Sequence, residues 1–179
     1  MIRRLSGLLT TLIVVSASLT AQNKYIGTKM CVMCHKTEKQ GKQLDIWQKS
    51  KHAEAYKVLT TAEANKIAQS KGFDTPAAET AECLQCHVTQ ADAKVAEKTF
   101  NMKDGVQCET CHGAGSAYKN ITVMKNHAKA VASGMMDFKD PATIEAKCKT
   151  CHNEKSPTFK GFNFEEYWGK IEHPIPKAG

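Results

Sequence analysis

Gly105-Val106-Gln107-Cys108-Glu109-Thr110-Cys111-His112-Gly113-Ala114-Gly115 places two cysteines three positions apart and a histidine directly after the second. The arrangement returns at Cys31/Cys34-His35, Cys83/Cys86-His87 and Cys148/Cys151-His152, and it accounts for all 8 cysteines of the 179-residue chain. Disulfides, zinc ribbons and c-type haem attachment are the chemistries open to cysteines paired in this way. Only haem attachment needs a histidine after every second cysteine. With 7 histidines in 179 residues, composition alone would give four such coincidences about twice in a million chains. The spacing has a chemical basis. Two thiols three apart in a helical turn reach the two vinyl groups of one porphyrin, and the next residue turns its imidazole to the iron. The sequence therefore predicts four covalently bound haem c groups, with His35, His87, His112 and His152 as proximal ligands. No cysteine remains for a disulfide or a nucleophile, and no residue is assigned a catalytic role.

Three histidines lie outside the motifs: His52, His127 and His173. Four irons need four distal ligands, so at most three can have histidine on both faces. The remaining iron is five-coordinate, water-ligated or bound by a methionine or lysine. Each spare histidine lies on or beside a predicted helix that can present it to a neighbouring haem. Met33 is inside a motif, and Met135-Met136 reads as packing. A centre closed on both faces by imidazole binds no substrate and exchanges electrons, so the one open centre is the place where a small molecule could react.

With 41% hydrophobic and 24% charged residues and a mean hydropathy of -0.43, the composition is that of a soluble globular chain. Residues 1–21 run from basic Met1-Ile2-Arg3-Arg4 through apolar Leu8 to Val15 to the small residues before Ala21, the layout of a secretory signal peptide. Cleavage after Ala21 leaves residues 22–179 as one domain, periplasmic or otherwise exported, with no stable membrane span. Export suits a cofactor that is covalently retained. Both arginines lie in the signal segment, so the formal charge falls from +7 to +5 and every remaining strong base is lysine. Sequence reading of DNA leans on the arginine fork, so nucleic acid is not an expected partner. Four ferric haems, each carrying about -1 with its propionates, offset most of this lysine charge.

Helical signals dominate what remains. Ile46, Trp47, Tyr56 and Leu59 recur at helical spacing around His52. Thr60 and Glu63 read as a capping box for a helix stopped by Gly72. Thr75-Pro76 and Asp140-Pro141 read as helix starts that each run into a motif. A segment from Tyr118 to Ser133, ended by Gly134, carries His127. Asn163 and Glu166 begin a last helix, through Phe164, Tyr167, Trp168 and Ile171, that ends at His173. Lys98 to Met102 is a candidate short strand. The expected fold is mainly α, a multihaem cytochrome c with little regular β structure and a core built around its haems. Trp47 and Trp168 are read as haem packing. A chain of residues 22–179 has a radius of gyration of about 15 Å, which keeps four haems within electron-transfer reach of one another. With so much of the interior given to haem, the haem-free chain is expected to be largely unfolded.

The sequence resembles the tetrahaem cytochrome c-554 family over most of residues 22–179. The resemblance is carried by Gly27-Thr28-Lys29-Met30-Cys31-Val32-Met33-Cys34-His35-Lys36, by Trp47 and Lys51-His52-Ala53, by Glu82-Cys83-Leu84-Gln85-Cys86-His87-Val88, and most specifically by Gly105 to Gly115. It implies that His52 ligates the third haem, His127 the first and His173 the fourth, leaving the second, on His87, five-coordinate. It also implies a periplasmic carrier that takes electrons from a multihaem oxidoreductase and passes them towards a membrane-side cytochrome or quinone-linked protein of the respiratory chain. The stretch between His35 and Trp47 is longer than the family pattern, and the carboxyl-terminal part is shorter. Two other functions stay open: reduction of nitric oxide or a related nitrogen oxide at the five-coordinate haem, and a subunit of an extracellular haem filament.

Overall fold

A computed structural model describes residues 22–175, so the signal segment expected at residues 1–21 lies outside the described residues. Caps and turns cut the chain into short helices: α1 (Thr28–Cys31), α2 (Gln43–Lys49), α3 (Ala55–Leu59), α4 (Ala62–Ser70) and α5 (Ala81–His87). They continue as α6 (Cys108–His112), α7 (Ile121–Met124), α8 (His127–Ala132), α9 (Pro141–Lys149) and α10 (Phe164–Trp168). The architecture is mainly α, as the sequence predicts. Among the described residues β pairing is limited to one parallel bridge, Tyr25 to Ala96. It is made by Tyr25 N–H to the Val95 carbonyl (2.7 Å) and Glu97 N–H to the Tyr25 carbonyl (2.8 Å). The strand expected at Lys98 to Met102 does not form. Asn101 instead accepts from Lys103 N–H (3.2 Å) and tightens Met102–Asp104 into a 3-10 turn.

Several helix boundaries follow local chemistry. Asp140 caps α9 by accepting from Thr143 N–H (2.8 Å), with Pro141 at the first helical position. Asn163 caps α10 through Glu166 N–H (3.1 Å). The cap of α4 is Thr61, which accepts from Ala64 N–H (3.2 Å), one residue beyond the expected Thr60. Phe73 N–H returns to the Ala68 carbonyl (3.1 Å) across Gly72 and closes that helix.

Other expectations give way to competing bonds. Thr75-Pro76 begins a turn and not a helix: Thr80 Oγ1 donates to the Pro76 carbonyl (2.9 Å), and Ala77 N–H goes to Asn65 Oδ1 (2.9 Å) on α4. The helix that carries the second motif therefore starts at Ala81. The 118–133 segment breaks at Asn126, whose side chain caps a new helix through Lys129 N–H (3.0 Å). The Ile46 to Leu59 pattern splits at the extended Ser50 and leaves His52 in the turn between α2 and α3. α10 ends at Trp168, short of His173, because the Trp168 carbonyl takes the N–H groups of both Ile171 (2.9 Å) and Glu172 (2.8 Å).

The apolar interior is small. The buried hydrophobic residues are Ile26, Leu59, Ala68, Ala77, Val88, Val106, Tyr118 and Ala130, and Leu59, Ala68 and Ala77 cluster with Phe73 and Leu84. Much of the organisation is polar instead, centred on the stretch before α6. Val106 N–H donates to the His52 carbonyl (3.0 Å), Trp47 Nε1 donates to the Val106 carbonyl (2.8 Å), and Thr89 N–H donates to the Gly105 carbonyl (2.9 Å). At Gly105 φ is +78° and ψ is -143°, and a Cβ there would stand 2.6 Å from the His52 carbonyl oxygen. Gly105→Ala combines a backbone conformation that only glycine adopts readily with a contact against main chain. We expect it to cost about 3 kcal/mol or more, read as a fall of about 10 °C in the melting temperature of the holoprotein.

Candidate haem centres

Each motif occupies one helical turn. Cys31 ends α1, and the chain turns so that His35 N–H donates to the Cys31 carbonyl (3.1 Å). The second motif fills the end of α5, and the third is the whole of α6. Cys148 lies in α9, with His152 N–H donating to its carbonyl just beyond (3.0 Å). No disulfide joins any two of the eight cysteines. The motifs also meet one another. Cys108 of the third motif, and then burial, push the Cys31 thiol up. Cys86 is held up at about 11 by burial and then by Cys151, its neighbour across the second and fourth motifs. Cys111 is held at about 11 by burial, with Cys148 and Cys151 of the fourth motif close enough to add to the effect. Neighbouring cysteines thus link the first motif to the third, the third to the fourth, and the fourth to the second.

Two motif histidines face a second imidazole. The rings of His152 and His52 are 6.1 Å apart between centroids, and those of His112 and His173 are 5.8 Å apart. Two metal–nitrogen bonds of about 2 Å, plus the ring radii, put the imidazoles of a doubly ligated ion about 6 Å apart, so both pairs match that separation. The rings are also in the protonation state that ligation needs. Burial, and then the neighbouring His173 and His35, depress His112 to about 4. Burial likewise lowers His52, with His152 adding to it, and burial lowers His152 itself. His35 and His173 are lowered mainly by burial too. These five imidazoles are therefore neutral at neutral pH, with a nitrogen lone pair to give.

The pairing differs from that implied by the resemblance. His52 meets the fourth motif and not the third, and His173 meets the third and not the fourth. Long-range contacts at the carboxyl-terminal end explain the exchange. Phe162 stacks on His152 (5.1 Å) and Tyr167 packs edge-on against it (5.5 Å), which brings α10 to the fourth motif. The chain then leaves for the other side, where Gln43 Nε2 donates to the Pro174 carbonyl (3.0 Å) and draws His173 towards His112. Gln43 belongs to the lengthened stretch after His35. His127 is not brought to His35. It opens α8, its side chain is 68% exposed, and its Nε2 lies 3.1 Å from Asp137 Oδ1. None of the histidine ring pairs includes His87, whose Nδ1 bonds to the Ala55 carbonyl (2.8 Å). A backbone carbonyl at Nδ1 leaves Nε2 as the ligating nitrogen.

Among the described residues no three His, Cys, Asp or Glu side chains converge as a cage for a bare metal ion. That donor set suits haem, whose porphyrin supplies four nitrogens and asks the protein for one or two. The family profile described as "Cytochrome c554 and c-prime" matches residues 30–113, which hold the first three motifs. Cytochrome c-554 of Nitrosomonas europaea is 29% identical over 157 residues, covering 80% of this chain and 64% of that protein. The chain is similar to the cytochrome c-554 family across its first three motifs. The C-type polyheme cytochrome OmcC of Geobacter sulfurreducens is 28% identical over 107 residues, 50% of this chain and 12% of that protein. The chain thus spans less than two thirds of the length of both relatives. No solved structure matches it. Both comparisons are with c-type cytochromes, which fits the Cys-x-x-Cys-His motifs as sites for covalent haem c. No helix among its described residues is long and apolar enough to cross a membrane.

Sequence reading did not find the polar residues that hold these motifs in place. Gln107 and Glu109, each 2% exposed, are buried beside Thr28 and Thr89. Gln107 Oε1 accepts from Thr28 N–H (2.9 Å), its Nε2 donates to the Asn101 carbonyl (2.8 Å), and its N–H donates to Thr89 Oγ1 (2.8 Å). Both flank Cys108 in the most specific stretch of the sequence, Gln107 before it and Glu109 after it.

Proposed function

We propose that residues 22–179 form an exported tetrahaem electron carrier that takes electrons from a multihaem oxidoreductase and passes them towards the respiratory chain. The observation that carries this reading is the pairing of imidazoles at 5.8 and 6.1 Å, a spacing that closes both axial positions of an iron. Bound haem supplies reversible one-electron chemistry, and a centre with both axial positions filled has no site for a substrate. The eight motif cysteines hold the four groups, and His35, His87, His112 and His152 are the proximal ligands. His52 serves the centre on His152, and His173 the centre on His112. The family resemblance, and not a contact in the fold, gives His127 to the centre on His35. His87 keeps an open distal position. The neighbourhood of the motif cysteines supports a relay in the order first, third, fourth, second, with the open centre at one end.

That terminal position favours one further reading, reduction of nitric oxide or a related nitrogen oxide at the His87 centre. Low-temperature electron paramagnetic resonance of the oxidised holoprotein, combined with a haem assay, tests the assignment. Four haems per chain with one high-spin and three low-spin signals are expected. Addition of nitric oxide to the reduced protein separates the two functions, because binding without turnover supports the carrier and sustained turnover replaces it with the reductase.

A further inference from the structure

Glu109 lies between the two cysteines of the third motif and is 2% exposed. Its carboxylate is filled by backbone donors. Oε1 accepts from Ile26 N–H (2.9 Å) and Gly115 N–H (2.7 Å), and Oε2 accepts from Gly27 N–H (2.8 Å) and Ile26 N–H (3.1 Å). Every contact donates to oxygen, the arrangement of an ionised carboxyl. No ion pair among the described residues includes it. A charge buried without a counter-ion is tolerated only when its hydrogen bonds are complete, and removing them is strongly destabilising.

The donors come from both sides of a junction. Ile26 and Gly27 lead into the first motif through α1, and Gly115 follows the third motif. Glu109 therefore ties the segment that enters the first attachment site to the segment that leaves the third. The seat is close-fitting: a Cβ on Gly115 would stand 2.9 Å from Ile26 Cδ1 and 3.0 Å from Glu109 Oε1. Two residues earlier, Gln107 makes the same kind of tie with a neutral amide, accepting from Thr28 N–H (2.9 Å) and Thr28 Oγ1 (3.1 Å). An uncharged side chain can thus do the mechanical task at this junction. What Glu109 adds is its charge, whose field already reaches Tyr118, where after burial it is the next cause holding the phenol up.

We propose that Glu109 is a positioning residue that locks the first and third attachment sites together and, as a fixed buried anion, keeps the haems bound there reducing. A nearby negative charge favours the ferric state, the more positive of the two, and so lowers the reduction potential. A unit charge acting over about 10 Å at an effective dielectric of about 20 shifts a one-electron equilibrium by about tenfold. The proposal rests on the haem assignment above, which the haem content of the unaltered protein tests separately.

The test is a redox titration of holoprotein variants, followed by optical and electron paramagnetic resonance spectra. In Glu109→Gln at least one low-spin haem is expected to favour the reduced state about tenfold more, a rise of about 59 mV for a one-electron couple. Glu109→Asp restores the original potential. Gly115→Ala disturbs the seat but keeps the charge, so it lowers the melting temperature and leaves the potentials in place. Unchanged potentials in Glu109→Gln, raised ones in Glu109→Asp, or a Gly115→Ala shift as large as that of Glu109→Gln would each overturn the proposal. If Glu109→Gln yields no holoprotein, Glu109→Asp decides: holoprotein with the original potentials supports the anion, and failure to mature overturns it in favour of shape alone.

Discussion

Without covalent haem, in a chain whose eight motif cysteines are all changed to alanine, far-ultraviolet circular dichroism is expected to be that of an unfolded polypeptide, with no cooperative melting transition. The helices are too short to stand alone. The longest, α4 and α9, have 9 residues each, whereas an isolated helix in water needs about 12–15 residues even with good formers. Packing between side chains does not make up the difference. Of the eight buried hydrophobic residues three are alanines, and large apolar side chains such as Met33 (64% exposed) and Ile121 (59%) stay at the surface. The hydrogen bonds around Gly105, Gln107 and Glu109 join segments distant in sequence, so they reward folding only after loop closure has been met. Binding of a large apolar group to the folded state alone supplies the missing stabilisation by mass action, and covalent attachment makes it permanent. A native-like spectrum with a sharp melt from the eight-alanine chain would show that the polypeptide folds on its own and that this account of its core is wrong.

Removing one distal histidine at a time is the second large effect. His52→Ala and His173→Ala are each expected to convert one low-spin ferric haem to high spin and to raise carbon monoxide binding by the reduced protein from about one to about two per chain, since each opens one axial position. The two variants should not affect the same haem. His152 is packed by Phe162 and Tyr167, and His112 by Phe138 (6.0 Å). In nuclear magnetic resonance spectra of the oxidised protein, His52→Ala should therefore disturb the haem in contact with Phe162 and Tyr167. His173→Ala should disturb the one beside Phe138. The opposite pattern would reinstate the partner order implied by family resemblance. A variant that leaves the spin-state count unaltered would remove that histidine from the ligand set.

Gly105→Ala provides a test of a different kind, because it changes no ligand. Its effect comes from main-chain geometry between His52 and α6, and it should lower stability while leaving the number of high-spin centres unchanged.

The four attachment motifs were legible because their chemistry is local: one helical turn sets the distance between two thiols and the histidine that follows, whatever the rest of the chain does. The helix starts at Asp140-Pro141 and Asn163 were legible for the same reason, since a cap acts on a donor three residues away. The shortage of distal imidazoles was also in the sequence, as a matter of counting. Where local signals failed, a distant partner had taken the group. Asn65 on α4 takes the N–H of Ala77 and turns the Thr75-Pro76 start into a loop.

Which histidine faces which motif was beyond sequence reading, because it depends on contacts such as Gln43 with Pro174, 131 positions apart. Gln107 and Glu109 escaped notice because a polar residue beside a cysteine looks the same in sequence whether it faces solvent or is buried with all its hydrogen bonds made. Composition and spacing by themselves mark a haem-binding chain and the cysteines proposed to hold the groups. Which histidine rings face each other, and the burial of Glu109 among backbone donors, were decided by long-range packing, since only a folded chain brings such distant groups within bonding distance.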